Sequence, residues 1–348
     1  MKLTHIALII VFILILFAII YNSREHMSFA DDYMQQTYKR MDIELDTKDM
    51  YIQSCNKKTG ECKKIYYLYN ANPLAAREIC NNKAITSQTL LAHDIPISPF
   101  ILLRKNTTML DIELSRHPLK YPLVIKPIDG THGNDVLVGI QTRKELDEKA
   151  TTLLQKTDAV IIEEQLSGND YRVLVVNDHV VDVVCREMIS ITGDGKKTIE
   201  ELINARNEKQ KKNKDHATHN IDWELIKRES GGLTASGILP AGKQINISNV
   251  RNYHNGANIT RIDISTIHPD NIAMLCNVNK AIGLVVAGVD FMTPDITKSY
   301  RENGGTIIEV NSNPGLDIHV NPKDSRSSSM GELVVARLFA KGNAPATS

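Results

Sequence analysis

The sequence carries no excess of either charge: lysine plus arginine equals aspartate plus glutamate, at 41 each. That balance argues against a nucleic-acid partner, which calls for a basic excess or stripe. The basic run from Lys209 to Lys214 has no interleaved aromatics and reads as a solvated helix end or loop. Paired C-x-x-C motifs are missing, which removes the common zinc-site patterns. The cysteines number 5, and an odd total fits a reducing compartment better than a disulfide framework. All five are expected to be structural; only Cys55 and Cys62, which flank a turn-like stretch, form a pair to check. There is no internal repeat, no low-complexity tract, no G-x-x-x-x-G-K-[ST] loop, and no evident Ser-His-Asp or Cys-His arrangement.

What is present begins with 348 residues, enough for about two or three domain-sized units. Apolar residues make up 42% and charged residues 24%, ordinary proportions for a globular protein. Ile6 to Tyr21 is an unbroken apolar run. It approaches the roughly 20 residues a bilayer span needs, and no small-x-small cleavage site follows Ala18. An uncleaved single-pass N-terminal anchor over residues 1–22 is the expectation, with a signal peptide and a buried core helix as rivals. Lys2 before the run and Arg24, Lys39 and Arg40 after it place the body on the cytoplasmic side.

Residues 23–40 read as a linker or short helix. Beyond it, Tyr51-Ile-Gln and Ile65 to Tyr69 read as strands around a turn. A helix is expected from Pro73 to Cys80, with Asn72 as its N-cap, and another from Thr86 to Ala92. Tyr121 to Lys126, Val136 to Ile140 and Val160 to Glu164 read as strands. Tyr171–Val176 and Val180–Val184 form a hairpin across Asn177-Asp178. Capping boxes begin at Thr142, Thr198 and Ser329. Ile282 to Val289 and Thr306 to Val310 carry the last core strands. Strands and helices without strict βαβ alternation predict an α+β class.

Three segments carry chemistry. In Glu309-Val-Asn311 the two oxygen-bearing side chains share a strand face; with Asp290 they form an oxygen set suited to Mg²⁺. A surface Asn-Pro-Gly corner uses the same residue types. Lys126 ends a buried strand before Gly130-Thr-His132-Gly133, where an ammonium and bare backbone can meet phosphate. Glu163-Glu164 at another strand end, followed by a turn, could accept from an amine and ribose hydroxyls, or be a plain strand exit.

Taken in order, these segments resemble the ATP-grasp ligases: Asn82-Lys83-x-x-Thr86, Lys126-Pro, Glu163-Glu164-x-Leu-Ser-Gly-x-Asp170, Gly288-Val-Asp290 and Glu309-Val-Asn311. Asp170-Tyr-Arg-Val-Leu-Val-Val, Gly193-Asp-Gly-Lys-Lys-Thr-Ile, Leu239-Pro-Ala-Gly, His268-Pro-Asp-Asn, Arg301-Glu-Asn-Gly-Gly and Asn313-Pro-Gly-Leu-x-x-His319 are most similar to the ATP-grasp part of cyanophycin synthetase and to glutathione-synthetase-like ligases. The likeness runs from about Met41 to Phe339. It implies an α+β ATP-grasp fold of two subdomains clamping ATP, over residues 119–342. An ATP-binding subdomain would occupy about 119–170 and a catalytic part about 171–342, preceded by a small α/β lobe over 41–118.

The resemblance further implies that Lys83 and Lys126, with Gly130, His132 and Gly133, hold ATP phosphates. Glu163, Glu164 and the backbone near Leu166 would face adenine, and Asp170 the ribose. Asp290, Glu309 and Asn311 would bind Mg²⁺, as two ions, with Mn²⁺ as an alternative. Arg186 and Lys126 are the catalytic candidates; Asn313, Gly315 and His319 would lie on the acceptor side. The chain departs from the family at Asn255-Gly-Ala-Asn258 and at Cys185, which stands where relatives carry Glu; both departures are expected on substrate-facing parts. It also lacks the Mur-ligase-like half of cyanophycin synthetase. The implied activity is an ATP-dependent carboxylate–amine ligation through an acyl phosphate, on amino acids or short peptides. A D-alanine–D-alanine-like ligase, an ATP-grasp kinase and a membrane-tethered nucleotide-binding scaffold are the alternatives, and a homodimer is a further expectation.

Overall fold

The structure is a computed structural model that describes residues 29–48, 51–65, 68–105, 118–129, 135–211, 221, 234–247, 251, 257–320 and 329–340. The chain divides into two compact units, residues 1–68 and 69–348; the division falls inside the lobe expected over 41–118.

In the first unit, α1 (Phe29–Arg40) precedes three antiparallel strands, β1 (Ile43–Thr47), β2 (Ile52–Asn56) and β3 (Cys62–Ile65). Asp31 and Asp32 in the first turn of α1, with Lys39 and Arg40 in its last, match the helix dipole. Met34 and Tyr38 are buried from this helix, Ile43 and Ile65 from the strands. The Asn56 carboxamide accepts from the Lys58 and Thr59 amides and turns the chain between β2 and β3. That register sets Cys55 opposite Cys62, and the two are disulfide-bonded. The one pair left to check is thus bonded, and Cys80, Cys185 and Cys276 are free.

The expected membrane placement is also corrected. Among the described residues no helix is long and apolar enough to cross a membrane. The run 6–21 that carried that expectation lies outside the described residues.

The second unit opens with α2 (Leu74–Asn81) and α3 (Lys83–Leu91), then β4 (Phe100–Arg104), β5 (Leu123–Pro127), β6 (Leu137–Ile140), α4 (Arg143–Leu154) and β7 (Ala159–Glu164). The hairpin β8 (Asn169–Val176) and β9 (His179–Arg186) follows, then β10 (Ser190–Thr192), α5 (Ile199–Lys211), β11 (Gln244–Asn246) and β12 (Ile259–Arg261). The last elements are α6 (Pro269–Ile282), β13 (Val286–Thr293), α7 (Tyr300–Asn303), β14 (Thr306–Asn311) and α8 (Met330–Phe339). Two sheets dominate: a four-stranded one ordered β4-β7-β5-β6 and a five-stranded one ordered β12-β9-β8-β13-β14. The named strands pair antiparallel in both, which is why the chain shows no βαβ alternation.

Period-two alternation decides what each sheet buries. In the five-stranded sheet Tyr171, Val173 and Val175 of β8 and Ala287, Val289 and Phe291 of β13 face a core completed by Ala76 of α2, Leu90 of α3 and Met274, Leu275 and Val278 of α6. In the four-stranded sheet Leu123, Ile125, Val160 and Ile162 pack on Leu146, Ala150 and Leu153 of α4. The opposite faces are mixed: Leu174 and Val184 in one sheet and Ile161 in the other are buried there beside the polar side chains described below.

Local signals explain most element ends. The Thr142 hydroxyl accepts from the Glu145 amide while the Glu145 carboxylate accepts from the Gln141 amide. Thr198 and Glu201 exchange bonds reciprocally. Asn177 and Asp178 both take positive φ, as a two-residue hairpin turn of right-handed twist requires. Two expectations shift. Ile282 ends α6 rather than opening a strand, because His268 and Pro269 begin a helix there. Pro73, not Asn72, sits at the N-cap of α2.

Candidate active site

The register of the five-stranded sheet assembles a polar face row by row. Arg186 lies opposite Asp170, and Arg172 lies between Val184 and Asp290. Asp290 is opposite Glu309, and Gly288 is opposite Asn311. Since opposed residues in a ladder share a face, Arg186, Asp170, Arg172, Asp290, Glu309 and Asn311 all project away from the helix-covered core. A β-bulge between Asp290 and Phe291 is essential to this. Ile307 pairs with Phe291 in the core, Ile308 has no opposite number, and Glu309 thereby comes round to Asp290's side.

Electrostatically this face is a chain of buried ion pairs. An Arg186 Nη donates to Asp170 at 2.7 Å and lies 3.1 Å from Asp290. Arg172 donates to the other Asp290 oxygen at 2.8 Å. Lys83, in the first turn of α3, reaches Glu309 at 3.6 Å. Burial pushes the Asp170 carboxyl up, against the pull of the Arg186 guanidinium. Burial alone would lower the Arg186 pKa, but Asp290 and Asp170 outweigh it and hold the guanidinium charged.

On the four-stranded sheet, Lys126 projects from the face opposite α4 and pairs with Glu163 at 2.8 Å, both nearly buried. Glu164 follows Glu163 directly and so points to the other face, where its carboxylate accepts from the Lys120 amide. The expectation that both glutamates face one adenine is therefore corrected: only Glu163 shares the face of Lys126. Leu166 is half-buried in the turn after β7. Gly168 takes φ +133°, and a Cβ there would meet the Thr293 carbonyl carbon at 2.7 Å, so the turn into Asp170 needs glycine. Gly130, His132 and Gly133 lie outside the described residues.

Asn313 and Gly315 are exposed just after β14. His319 is wholly buried and shares the Asp182 carboxylate with Arg261 through its Nδ1, at 2.8 Å; Arg261 also donates to the His319 carbonyl. It therefore fastens the 313–320 loop to β9 and β12 rather than presenting an imidazole to solvent. Cys185 sits opposite Tyr171 and packs on the helix-covered core, which corrects its expected substrate-facing position. Asn258 bonds Arg206 and Ala257 is buried, while Asn255 and Gly256 lie outside the described residues.

The chain is similar to known proteins over much of its length. Residues 90–231 match the family model described as D-ala D-ala ligase C-terminus. The cyanophycin synthetase of Crocosphaera subtropica is 37% identical over 227 residues, covering 63% of this chain and 26% of that protein. Over this region the chain resembles the ATP-grasp ligases. A second ATP-grasp relative, the glutathione biosynthesis bifunctional protein of Clostridium perfringens, is 28% identical over 62% of this chain and 29% of its own length. The chain thus spans about a quarter of the curated relatives it matches first. The ATP-grasp fold is shared with the bifunctional glutathione synthetase of Pasteurella multocida, at TM-score 0.60 and 21% identity over 90% of this chain and 44% of that one. It is shared too with a D-alanine–D-alanine ligase of Bacillus anthracis, at TM-score 0.50 and 16% identity over 77% and 70%.

Sequence reasoning missed Arg172, Asp182, Arg261 and the asparagines Asn70 and Asn72. For Arg172 the signal was present: Asp170-x-Arg172 on a strand must share a face. The pairing of Asp182 with His319 had no local signal, since 137 positions separate them.

Proposed function

We propose that the chain is an ATP-dependent carboxylate–amine ligase acting on an amino acid or short peptide through an acyl phosphate. The observation that carries this is the single sheet face on which Asp170, Arg186, Asp290, Glu309 and Asn311 meet. Lys126 and Glu163 supply a second, separate cation–carboxylate pair. Lys83 and Lys126 would hold ATP phosphates; Asp170 would take the ribose and Glu163 the adenine amine, with the backbone near Leu166.

The oxygen donors of Asp290, Glu309 and Asn311 fit a hard divalent cation. Among the described residues no group of three or more His, Cys, Asp or Glu side chains is placed to hold a metal. Two carboxylates and an amide would thus need nucleotide phosphates to complete the shell, as Mg²⁺ prefers. Two Mg²⁺ ions, or Mn²⁺ in their place, would supply neutralisation of charge on the transferring phosphoryl group. The buried Asn311 Nδ2 makes no hydrogen bond, consistent with an amide whose oxygen is kept for a ligand.

In the first step a carboxylate oxygen of the acid attacks the γ-phosphorus; that P–O bond forms as the bond to the β-phosphate oxygen breaks, and ADP leaves with the electron pair. In the second, an amine attacks the acyl carbon, the C–N bond forms, phosphate departs and takes up the amine's proton. Arg186 would stabilise negative charge in both steps. Asn313 and Gly315, on the loop that His319 fastens, would border the acceptor.

The test is phosphate release by the full chain with ATP, Mg²⁺ and pools of amino acids and short peptides. Release that needs both an acid and an amine is expected, and Asp290→Ala or Glu309→Ala should abolish it. Release needing one substrate alone would favour a kinase, and binding of ATP without release under any pool would favour a scaffold.

A further inference from the structure

The segment that leads into α2 grips the loop that leaves β14. The Tyr69 hydroxyl donates to the Pro314 carbonyl at 2.8 Å. The Asn70 Nδ2 donates to the Ser312 carbonyl at 2.8 Å and to the Asn313 Oδ1 at 3.2 Å. The Asn70 Oδ1 accepts from the Asn72 amide at 2.9 Å, and the whole side chain is buried. A backbone N–H can only donate and a backbone carbonyl can only accept, so the Asn70 carboxamide has one possible orientation. That orientation sets the next. Turned over, Asn313 would set its own NH₂ against the NH₂ of Asn70. Its oxygen is therefore held toward Asn70, and its Nδ2 is left as the free end of an exposed residue, meeting no acceptor among the described residues.

The same loop lies beside the row that carries Asn311. Pro314 rests on the bare Cα of Gly288, where an added Cβ would come within 2.7 Å of the Pro314 Cβ, and Gly288 is opposite Asn311. At Gly315 an added Cβ would come within 2.5 Å of an Asp317 carboxylate oxygen, so glycine there leaves room for a negative charge on the loop. An NH₂ donor and a carboxylate on one pinned loop complement an oxygen and an amine on one small molecule.

We propose that Asn313 determines specificity for the acceptor and that Asn70 is its positioning residue. Asn70 fixes the Asn313 carboxamide so that its NH₂ meets the carboxylate or carbonyl oxygen next to the acceptor's amine. This rests on the ligase reading, which sets Asn313 at the border of the acceptor without giving it a role in recognition. The Asp317 charge suits the amine end of the same molecule. An amine without a neighbouring oxygen leaves the Asn313 donor unmatched.

The experiment is phosphate release by the full chain with ATP, Mg²⁺ and an acid pool of amino acids and short peptides, N-acetylated to block their amines. Three acceptor pools are compared: α-amino acids, their carboxamides, and the matching alkyl amines that lack oxygen. The alkyl amines should give a kcat/KM lower by about tenfold, the worth of one hydrogen bond. Use of both oxygen-bearing pools would assign the carbonyl oxygen, and use of the free acids alone the carboxylate. Asn313→Ala should raise the acceptor KM about tenfold, with a smaller effect on kcat. Asn313→Asp, which sets an oxygen where the NH₂ stood, should raise it about 100-fold. Asn70→Ala should raise the same KM about three- to tenfold, but less than about twofold when Asn313 is already alanine. Equal factors in the two backgrounds would leave Asn70 a structural residue alone and overturn the proposal. The Asn313 variants change an exposed side chain and carry the test if Asn70→Ala does not unfold cooperatively. An unchanged acceptor KM in both of them, or alkyl amines used as well as amino acids, would overturn the proposal and leave the ligase reading intact. No release by the unaltered chain with these pools or with unblocked ones would remove that reading and this one with it.

Discussion

Asn72 offers a sharp test of how the site face is held. Its buried carboxamide donates to the carbonyls of Val286 at 2.6 Å and Ser312 at 2.7 Å, and accepts from the amides of Val285 at 2.6 Å and Val286 at 2.8 Å. It thus ties the segment before α2 to the start of β13 and the end of β14, the strands that carry Asp290, Glu309 and Asn311. At about 1 kcal/mol net per bond, with partners left buried and unmatched, Asn72→Ala should cost about 3–4 kcal/mol. An asparagine acting only as a helix N-cap would cost about 1 kcal/mol. Asn72→Asp keeps the acceptor but sets a buried carboxylate against the Val286 and Ser312 carbonyls, so it should cost at least as much as the alanine variant at neutral pH. Urea unfolding followed by circular dichroism separates the cases, since the difference is a large share of a typical 5–15 kcal/mol total. A loss near 1 kcal/mol for the alanine variant would refute the cross-linking role.

The free thiols give a pH prediction. Burial, then Glu309, pushes Cys80 up to about 12 from an ordinary 9.0, and burial raises Cys185 and Cys276 as well. A raised folded pKa favours the protonated native form, so this stability is whole below pH 9.0 and is lost as pH climbs toward 12. Alkylation at pH 8 should accordingly be much slower in native than in denatured protein, read by mass spectrometry; equal rates would refute it. Reducing Cys55–Cys62, a loop of sequence separation 7, should cost the first unit about 2–3 kcal/mol on the chain-entropy account. Hydrogen exchange of β2 and β3 should quicken to match, and unchanged exchange after reduction would count against that account.

The sequence was most legible where the controlling interaction is local. The Thr142 and Thr198 capping boxes, the Asn177-Asp178 turn and the strand ending at Lys126 each depend on neighbours within a few positions, and each is where the pattern put it. The order of motifs also sufficed to recognise the resemblance to ATP-grasp ligases that the comparisons found. Long-range partners were not legible. Asn72 reads as an N-cap by residue type, yet its bonds go more than 200 positions away, to Val285, Val286 and Ser312. Glu163 and Glu164 read as a pair because they are adjacent, and a strand sends adjacent side chains to opposite faces.

The bulge at Asp290 shows why motif spacing alone could not build the site. By simple alternation Ile307 and Glu309 would share a face, so a strand with Ile307 in the core would bury Glu309 with it. One unpaired residue, Ile308, lets Ile307 and Val310 both face the helices while Glu309 and Asn311 face Asp290 and Gly288. Deleting Ile308 would leave Ile307, Glu309, Val310 and Asn311 in regular alternation on the faces they already occupy, whereas a regular ladder that kept Ile308 would turn either Ile307 or the Glu309–Asn311 pair to the wrong side. The same ladder brings Arg172 across Gly288, so the bulge, the glycine and the arginine form one arrangement. A Cβ at 288 should displace Arg172 even though Asp290 and Glu309 keep their register.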